Sequence, residues 1–116
     1  MRVLNYIRGE FVDPKSDFWM DNFSPSSGEV IGSIPLSGEG DVDNAVMAAV
    51  EALPYWSSLR PLERAEWLER IADCLESKFE EIARLESLDT GKPISLSRSV
   101  DAKRSVSNFR FLSGMI

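Results

Sequence analysis

Histidine is absent from the chain, and cysteine occurs only once, at Cys74. Without histidine the chain lacks the usual general base and the commonest metal ligand, and a single cysteine excludes an internal disulfide framework. No apolar run approaches the roughly 18 residues that a membrane-spanning helix needs, and residues 1–10 lack the apolar core of a signal peptide. These absences argue against catalysis by the chain on its own and predict a cytoplasmic location, in the cytosol or in an organelle matrix.

The balance of residue types is that of an ordinary globular domain, with 116 residues of which 43% are apolar and 28% charged. The net charge of −6 disfavours nucleic acid or an anionic membrane as the main partner. The charge is uneven, because residues 92–116 hold five of the 13 basic residues and one of the 19 acidic ones. This basic tail either meets an acidic surface or phosphates, or forms a solvated helix face. Its members are Lys92, Arg98, Lys103, Arg104 and Arg110.

Residues 1–35 have the pattern of short strands joined by turns. Arg8-Gly9-Glu10 separates two short β-prone runs and predicts a hairpin. Phe18–Phe23 and Glu29–Ile34 are two further strand candidates. Between them, residues 24–28 combine proline and glycine as a tight turn does. We therefore expect a small β-element at the start of the chain.

Residues 41–116 have a helical period and predict about four helices. Asp41 is the predicted N-cap of the first, which we expect to end just before Pro54, because proline disfavours a helical residue before it. Tyr55 and Trp56 would then lie in a connector. The predicted apolar stripe of this first helix comprises Val42, Ala45, Val46, Ala49, Val50 and Leu53.

Three further helices are predicted after Pro61, a residue that suits a first helical turn. The Ser77-Lys78-Phe79-Glu80 pattern of a capping box predicts that a separate helix begins there. Gly91 suits a left-handed residue at the end of that helix, and a last helical pattern runs from Ala102 towards the chain end. The residues predicted to face inward are Leu68, Ile71, Ala72, Leu75, Phe79, Ile82, Leu85, Ala102, Val106, Phe109 and Leu112.

No group of reactive residues forms a complete catalytic constellation. Cys74 lies inside a helical pattern beside Asp73, so we interpret it as a small packed residue rather than a nucleophile. Gly38-Glu39-Gly40 lacks the lysine of a phosphate loop, and its acidic neighbours would repel phosphate. The remaining candidates are interpreted as solvated carboxylates and as packing anchors. They are Glu63, Glu66, Glu69, Glu80 and Glu81, and Trp19, Trp56 and Trp67.

Two segments carry the resemblance to a known family. Residues 85–93 read Leu-Glu-Ser-Leu-Asp-Thr-Gly-Lys-Pro, and residues 24–31 read Ser-Pro-Ser-Ser-Gly-Glu-Val-Ile. With the hairpin at residues 6–11, they resemble the N-terminal part of the aldehyde dehydrogenase superfamily. Residues 105–111 are similar to the branch that contains the 2-aminomuconic and 2-hydroxymuconic semialdehyde dehydrogenases. The chain departs from that branch at Lys103, where the branch has proline.

The resemblance implies an α/β fold of which this chain covers only the β-element and about four helices that pack on a Rossmann-like cofactor domain. Residues 1–116 would be an incomplete part of that domain, extended over 1–35 and helical over 41–116. The implied reaction is the NAD- or NADP-dependent oxidation of an aldehyde, a muconic-type semialdehyde in that branch, to a carboxylic acid. The implied partners are the remainder of the subunit and further copies in a homo-oligomer.

The family's catalytic and cofactor-binding residues would all lie beyond Ile116, so the resemblance assigns no catalytic or cofactor contact here. Many members hold a monovalent cation, Na⁺ or K⁺, with backbone carbonyls and one aspartate. The matching positions are Asn22, Phe23 and Asp89, and oxygen ligands suit such a hard cation. Alternatively, Asp89 only hydrogen-bonds the end of its own helix.

The residue pattern leaves two other functions open. The chain is compatible with a non-enzymatic helical module whose apolar faces dock onto another protein, and the basic tail with a nucleic-acid binder. As an N-terminal piece of a dehydrogenase, it would expose apolar faces shaped for the missing part of the subunit. We therefore expect the isolated chain to be inactive and to fold poorly.

Overall fold

The computed structural model describes residues 1–116, which divide into two compact units, Met1–Ser58 and Leu59–Ile116. The first unit holds four strands and one helix, and the second is entirely helical. None of the helices has both the length and the apolar character needed to cross a membrane. In chain order the elements are β1 (Asn5–Ile7), β2 (Glu10–Val12), β3 (Trp19–Phe23), β4 (Val30–Pro35), α1 (Glu39–Ser58), α2 (Pro61–Ser77), α3 (Phe79–Thr90), α4 (Ile94–Leu96), a π-helical segment (Ser97–Ala102) and α5 (Lys103–Ser113).

The predicted hairpin is confirmed. β1 and β2 pair antiparallel with Ile7 opposite Glu10, so only Arg8 and Gly9 form the turn. Both turn residues have positive φ, 58° and 82°, as a two-residue hairpin turn that matches the strand twist requires. Opposite each other on the strands, the rings of Tyr6 and Phe11 are 5.0 Å apart.

The two further strands and the turn between them are confirmed, and β3 and β4 pair antiparallel with Gly28 at φ 72°. The first three residues of the chain run parallel to β4, with Val3 N donating to Ser33 O and Ser33 N donating to Met1 O, both at 2.9 Å. Gly32 permits this close approach, because a Cβ added there would stand 2.1 Å from the carbonyl oxygen of Met1. Gly32 in β4 is therefore a strand glycine that makes room for the backbone of the first residues of the chain.

The predicted end of the first helix is wrong. α1 runs from Glu39 to Ser58 with Pro54 inside it, so Tyr55 and Trp56 are helical rather than part of a connector. The predicted N-cap is also displaced: Asp41 lies in the first turn, nearly buried, where its carboxylate accepts 3.0 Å hydrogen bonds from Gly38 N and Lys15 N. The carboxylate thereby satisfies a backbone donor at the helix start.

A break between the second and third helices is confirmed, but the capping box is not. Ser77 is the last residue of α2, and its hydroxyl donates to Cys74 O at 2.7 Å. Lys78 is the N-cap of α3, and Glu80 pairs with Arg98 instead of closing a box. The left-handed end of α3 at Gly91 is confirmed, with φ 73° and its N–H bonded to Ser87 O.

The last helical pattern begins earlier than predicted. The backbone is helical from Ile94 to Ser113, and the six residues Ser97–Ala102 within it are π-helical. A π-helical turn closes with i→i+5 hydrogen bonds and is an uncommon feature of helices. When the continuous stretch from Ile94 to Ser113 is counted as one segment, the chain has the four helical segments that were predicted.

Few side chains are buried, and the predicted inward faces are covered only in part. The buried apolar residues are Ala72, Ala83, Ala102 and Val106, whereas Ile71, Leu85 and Leu112 are exposed. Cys74 is also exposed, so its interpretation as a packed residue is wrong. On α1 the predicted stripe carries Val42, Val46, Val50 and Leu53, all more than half exposed. Contacts within the chain therefore leave most of its large apolar side chains uncovered.

Candidate functional site: a cationic concavity on the last helix

The basic tail lies in the second compact unit, and its five cations have different surroundings. Three are neutralised within the unit by carboxylates: Lys92, Arg98 and Arg110. Lys103 and Arg104 take part in no ion pair and are exposed. The sequence grouped these five residues together, whereas the structure separates a paired set from an unpaired one.

Lys92 is held by two carboxylates. Its Nζ is 2.8 Å from Glu86 Oε1 in α3 and 2.9 Å from Asp101 Oδ2 in the π-helical segment. The hydrogen bonds that it donates to Glu86 and then to Asp101 raise the pKa of Lys92 above its ordinary value. The side chain of Ser87 adds a 2.7 Å hydrogen bond to the Lys92 carbonyl. Hydrogen bonds thus hold both the backbone carbonyl and the side chain of Lys92 in the segment after α3.

The π-helical segment is attached to α3 by a second ion pair. Arg98 donates from Nε and Nη2 to Glu80 Oε2, at 3.0 and 2.9 Å. Ser97 and Ala102 of this segment are fully or almost fully buried, as is Ala83 of α3. The hydroxyl of Ser97 has no hydrogen-bond partner.

Arg110 fastens α5 to α2. Its guanidinium is 2.8 Å from Glu69, 3.0 Å from Asp73 and 2.6 Å from Glu76. The hydrogen bonds that it donates to Glu76, Asp73 and Glu69 raise the pKa of Arg110 above its ordinary value. Glu69 also accepts a hydrogen bond from Ser113. Glu69 and Glu80, interpreted from the sequence as solvated, are therefore ion-paired.

The two unpaired cations line one concavity of about 340 Å³. Hydroxyl and amide groups on the same helical face complete its lining, so every polar side chain there can donate a hydrogen bond, and no carboxylate is present. Such a lining attracts an anion, and a carboxylate accepts hydrogen bonds from cationic donors readily. The lining residues are Ser99, Val100, Lys103, Arg104, Ser107 and Asn108.

No continuous motif in the sequence marks this concavity, because the ion pairs that occupy the other three cations join residues at irregular spacings. Asp101 stands three residues before Arg104, and regular helical spacing would have paired those two. The adjacent pair Lys103-Arg104, with one acidic residue in the whole tail, was the only signal that could have indicated it.

The predicted cation ligands lie in separate units. Asn22 and Phe23 are at the irregularity in β3, and Asp89 is in the last turn of α3. No group of three or more Cys, Asp or Glu side chains is arranged to hold a metal ion. That finding leaves a site built from carbonyl oxygens untested, so the cation site stays a prediction. The tryptophans Trp19 and Trp67 lie against Arg2 and Arg70, at 3.9 and 4.2 Å from guanidinium carbon to ring centre.

Comparison with known proteins decides the family. Residues 11–116 match the sequence model of the aldehyde dehydrogenase family. The chain belongs to the aldehyde dehydrogenase family. The resemblance drawn from residues 24–31 and 85–93 is therefore confirmed, and so is the expected aldehyde dehydrogenase fold.

Several dehydrogenases resemble the chain closely. It is 46% identical over 112 residues to the 2-aminomuconic semialdehyde dehydrogenase of Bos taurus and 46% identical over 109 residues to that of Homo sapiens. These matches cover 97% and 94% of this chain but 23% and 22% of the relatives. Among solved structures, PnpE in complex with nicotinamide adenine dinucleotide superposes with a TM-score of 0.95 at 43% identity. HpcC from Thermus thermophilus superposes with a TM-score of 0.94 at 35% identity.

The aldehyde dehydrogenase chain described here spans about a quarter of the length of these relatives. It covers 24% of PnpE and 22% of HpcC, while 99% and 98% of its own residues are matched. The exposed apolar residues of α1 accord with this short span, because in the relatives a much longer chain is available to cover the equivalent surface.

Proposed function

We propose that this aldehyde dehydrogenase segment belongs to an enzyme that oxidises a carboxylate-bearing semialdehyde to a dicarboxylate. The observation that carries the proposal is the concavity lined by the unpaired Lys103 and Arg104. A semialdehyde of the muconic type has an aldehyde at one end and a carboxylate at the other. The two cations would bind that carboxylate, and the 46% identity to 2-aminomuconic semialdehyde dehydrogenases supports the same substrate class.

In this proposal the segment binds and orients, while the rest of the subunit performs the chemistry. Lys103 and Arg104 would fix the carboxylate end, and the aldehyde end would then point towards a catalytic centre supplied by the remaining chain. Orientation of this kind lowers the barrier, because it replaces a random encounter by a prepared geometry. NAD or NADP would accept the hydride when bound, as the NAD complex of PnpE suggests for this family.

Several finer features are proposed on the family resemblance alone. Residues 1–116 would form an incomplete part of the cofactor-binding domain, and the whole enzyme would be a cytoplasmic homo-oligomer. A monovalent cation, Na⁺ or K⁺, would be bound by carbonyl oxygens of Asn22 and Phe23 and by the carboxylate of Asp89. Oxygen ligands of these two kinds suit a hard cation.

The test uses a hybrid enzyme in which residues 1–116 replace the matching segment of the bovine 2-aminomuconic semialdehyde dehydrogenase. Its substrates are adipate semialdehyde, which carries a carboxylate, and hexanal, the uncharged aldehyde of equal chain length. We expect Lys103→Met and Arg104→Met each to raise the KM for adipate semialdehyde about tenfold, the order expected when one hydrogen bond between charged groups is lost from the bound complex. The KM for hexanal should not change.

The control is Glu51→Gln, which breaks the exposed ion pair between Glu51 and Arg8 in the first unit. This variant should leave both KM values unchanged. The proposal is wrong if Lys103→Met and Arg104→Met affect the two aldehydes equally. It is also wrong if a hybrid that melts cooperatively and binds NAD oxidises neither aldehyde.

A further inference from the structure

Arg104 lacks the ion pair that its own helix offers. Asp101 precedes it by three residues, the spacing at which acidic and basic side chains on a helix usually meet. The carboxylate of Asp101 is instead 2.9 Å from Lys92 Nζ, outside the helix. Arg104 remains unpaired and lines the cationic concavity.

The π-helical segment explains how the two residues are separated. Asp101 lies within it, whereas Arg104 lies in the α-helical part that follows. An α-helix turns by about 100° per residue, and a π turn adds one residue to the ring closed by each hydrogen bond. Residues on either side of that junction no longer lie directly above one another. The side chain of Asp101 is thereby directed to the segment that follows α3, where its carboxylate pairs with Lys92.

We propose that Lys92 is a positioning residue that holds Asp101 away from Arg104 and so keeps the cationic concavity available to an anionic substrate. This inference rests on the proposed function of that concavity. Glu86 strengthens the arrangement, because it fixes the same ammonium group at 2.8 Å from the α3 side. Lys92 thus neutralises the only acidic residue of the basic tail.

Two substitutions affect this arrangement in opposite ways. Removing Lys92 alone leaves the Asp101 carboxylate without its partner. The long side chain of Arg104, three residues further on, can then turn across the offset and pair with it. The carboxylate would then compete with the substrate for the guanidinium and repel the substrate's own carboxylate. Removing Asp101 as well eliminates the competitor, so the double variant should behave like the unmodified hybrid enzyme.

The experiment measures KM in the hybrid enzyme with adipate semialdehyde and hexanal. We expect Lys92→Met to raise the KM for adipate semialdehyde about tenfold and to leave that for hexanal unchanged. The double variant Lys92→Met/Asp101→Asn should restore the KM for adipate semialdehyde to within about twofold, a coupling that only interacting residues show. Asp101→Asn alone should raise neither KM.

A merely structural role for Lys92 gives a different result. It predicts that Lys92→Met lowers the melting temperature and impairs both aldehydes, and that the double variant is no better; this result would overturn the inference. Arg98→Met is the matched control, because it removes the other ion pair between the π-helical segment and α3 and should not raise the KM for adipate semialdehyde selectively.

The inference and the proposed function fail in distinguishable ways. If Lys103→Met and Arg104→Met lose selectivity for the charged aldehyde while Lys92→Met does not, the concavity binds the carboxylate and Lys92 does not position it. If neither of the first two variants changes selectivity, the proposed function itself is wrong.

Discussion

The apolar stripe of α1 allows a prediction in which one substitution has different effects in two settings. Val42, Val46, Val50 and Leu53 are all more than half exposed in this chain. Complete burial of such a side chain stabilises a protein by about 1.5–3 kcal/mol. Because each side chain is about half exposed, about half of this stabilisation is missing at each of the four positions. The missing stabilisation amounts to roughly 3–6 kcal/mol in total. This amount is comparable with the whole stability of a small domain, about 5–15 kcal/mol.

Val46→Lys tests whether the rest of a dehydrogenase subunit covers this stripe. In the hybrid enzyme it should lower the free energy of unfolding by about 2–4 kcal/mol, because a charge would replace a buried apolar group. In the isolated chain the same substitution should reduce the binding of a hydrophobic dye and improve solubility. The assays are urea denaturation for the hybrid and dye fluorescence for the isolated chain.

Asn44→Lys is the control, since it adds the same side chain to an exposed polar position of the same helix. It should change neither the stability of the hybrid by more than about 0.5 kcal/mol nor the dye binding of the isolated chain. The reasoning fails if the two substitutions destabilise the hybrid equally. It also fails if the unmodified chain unfolds cooperatively as a monomer without binding the dye.

Two further predictions concern local structure in the hybrid enzyme. Gly32→Ala should displace the first residues of the chain from β4, because the new Cβ would overlap the Met1 carbonyl; the loss of three hydrogen bonds should cost about 2–4 kcal/mol in urea denaturation. Gly38→Ala has open space around it and should be nearly neutral, so equal losses at the two glycines would contradict this account. Hydrogen bonds from the Arg60 side chain and then its backbone lower the pKa of Glu63 below its usual 4.5. The stabilisation is therefore complete above that value and is lost as the pH falls through the folded-state pKa. Glu63→Gln should flatten the acid dependence of stability below about pH 4.5; an acid profile identical to that of the unmodified hybrid would refute this assignment.

Local rules recovered much of the chain's secondary structure. The turn at Arg8-Gly9 and the left-handed Gly91 follow from backbone sterics that depend on the residue itself. The rule for proline failed at Pro54, since α1 continues for four residues beyond it, where the hydroxyls of Ser57 and Ser58 bond the carbonyls of Pro54 and Tyr55. The rule states a local cost, and it does not say whether the rest of a long helix can offset that cost.

The candidate site was less accessible to sequence reasoning than the family was. The family resemblance depended on motifs that are continuous along the chain, such as residues 85–93. The concavity depends instead on which cations are already neutralised. Lys92 finds its partners six residues before and nine residues after itself, and Arg110 finds its three in α2. Neither set follows a helical spacing, and nothing in the sequence predicts a π-helical segment at Ser97–Ala102.

The ion pairs that attach Arg110 of α5 to three acidic residues of α2 limit which substitutions these four positions can accept. One guanidinium holds together three carboxylates on α2, and two pairs of those acids, Glu69 with Asp73 and Asp73 with Glu76, have the spacing at which like charges on a helix repel. A lineage that lost Arg110 would be left with an uncompensated row of acids, whereas one that first lost the acids would tolerate the change. Among homologous sequences, positions 69, 73, 76 and 110 should therefore drift as a linked set, with the arginine replaced last.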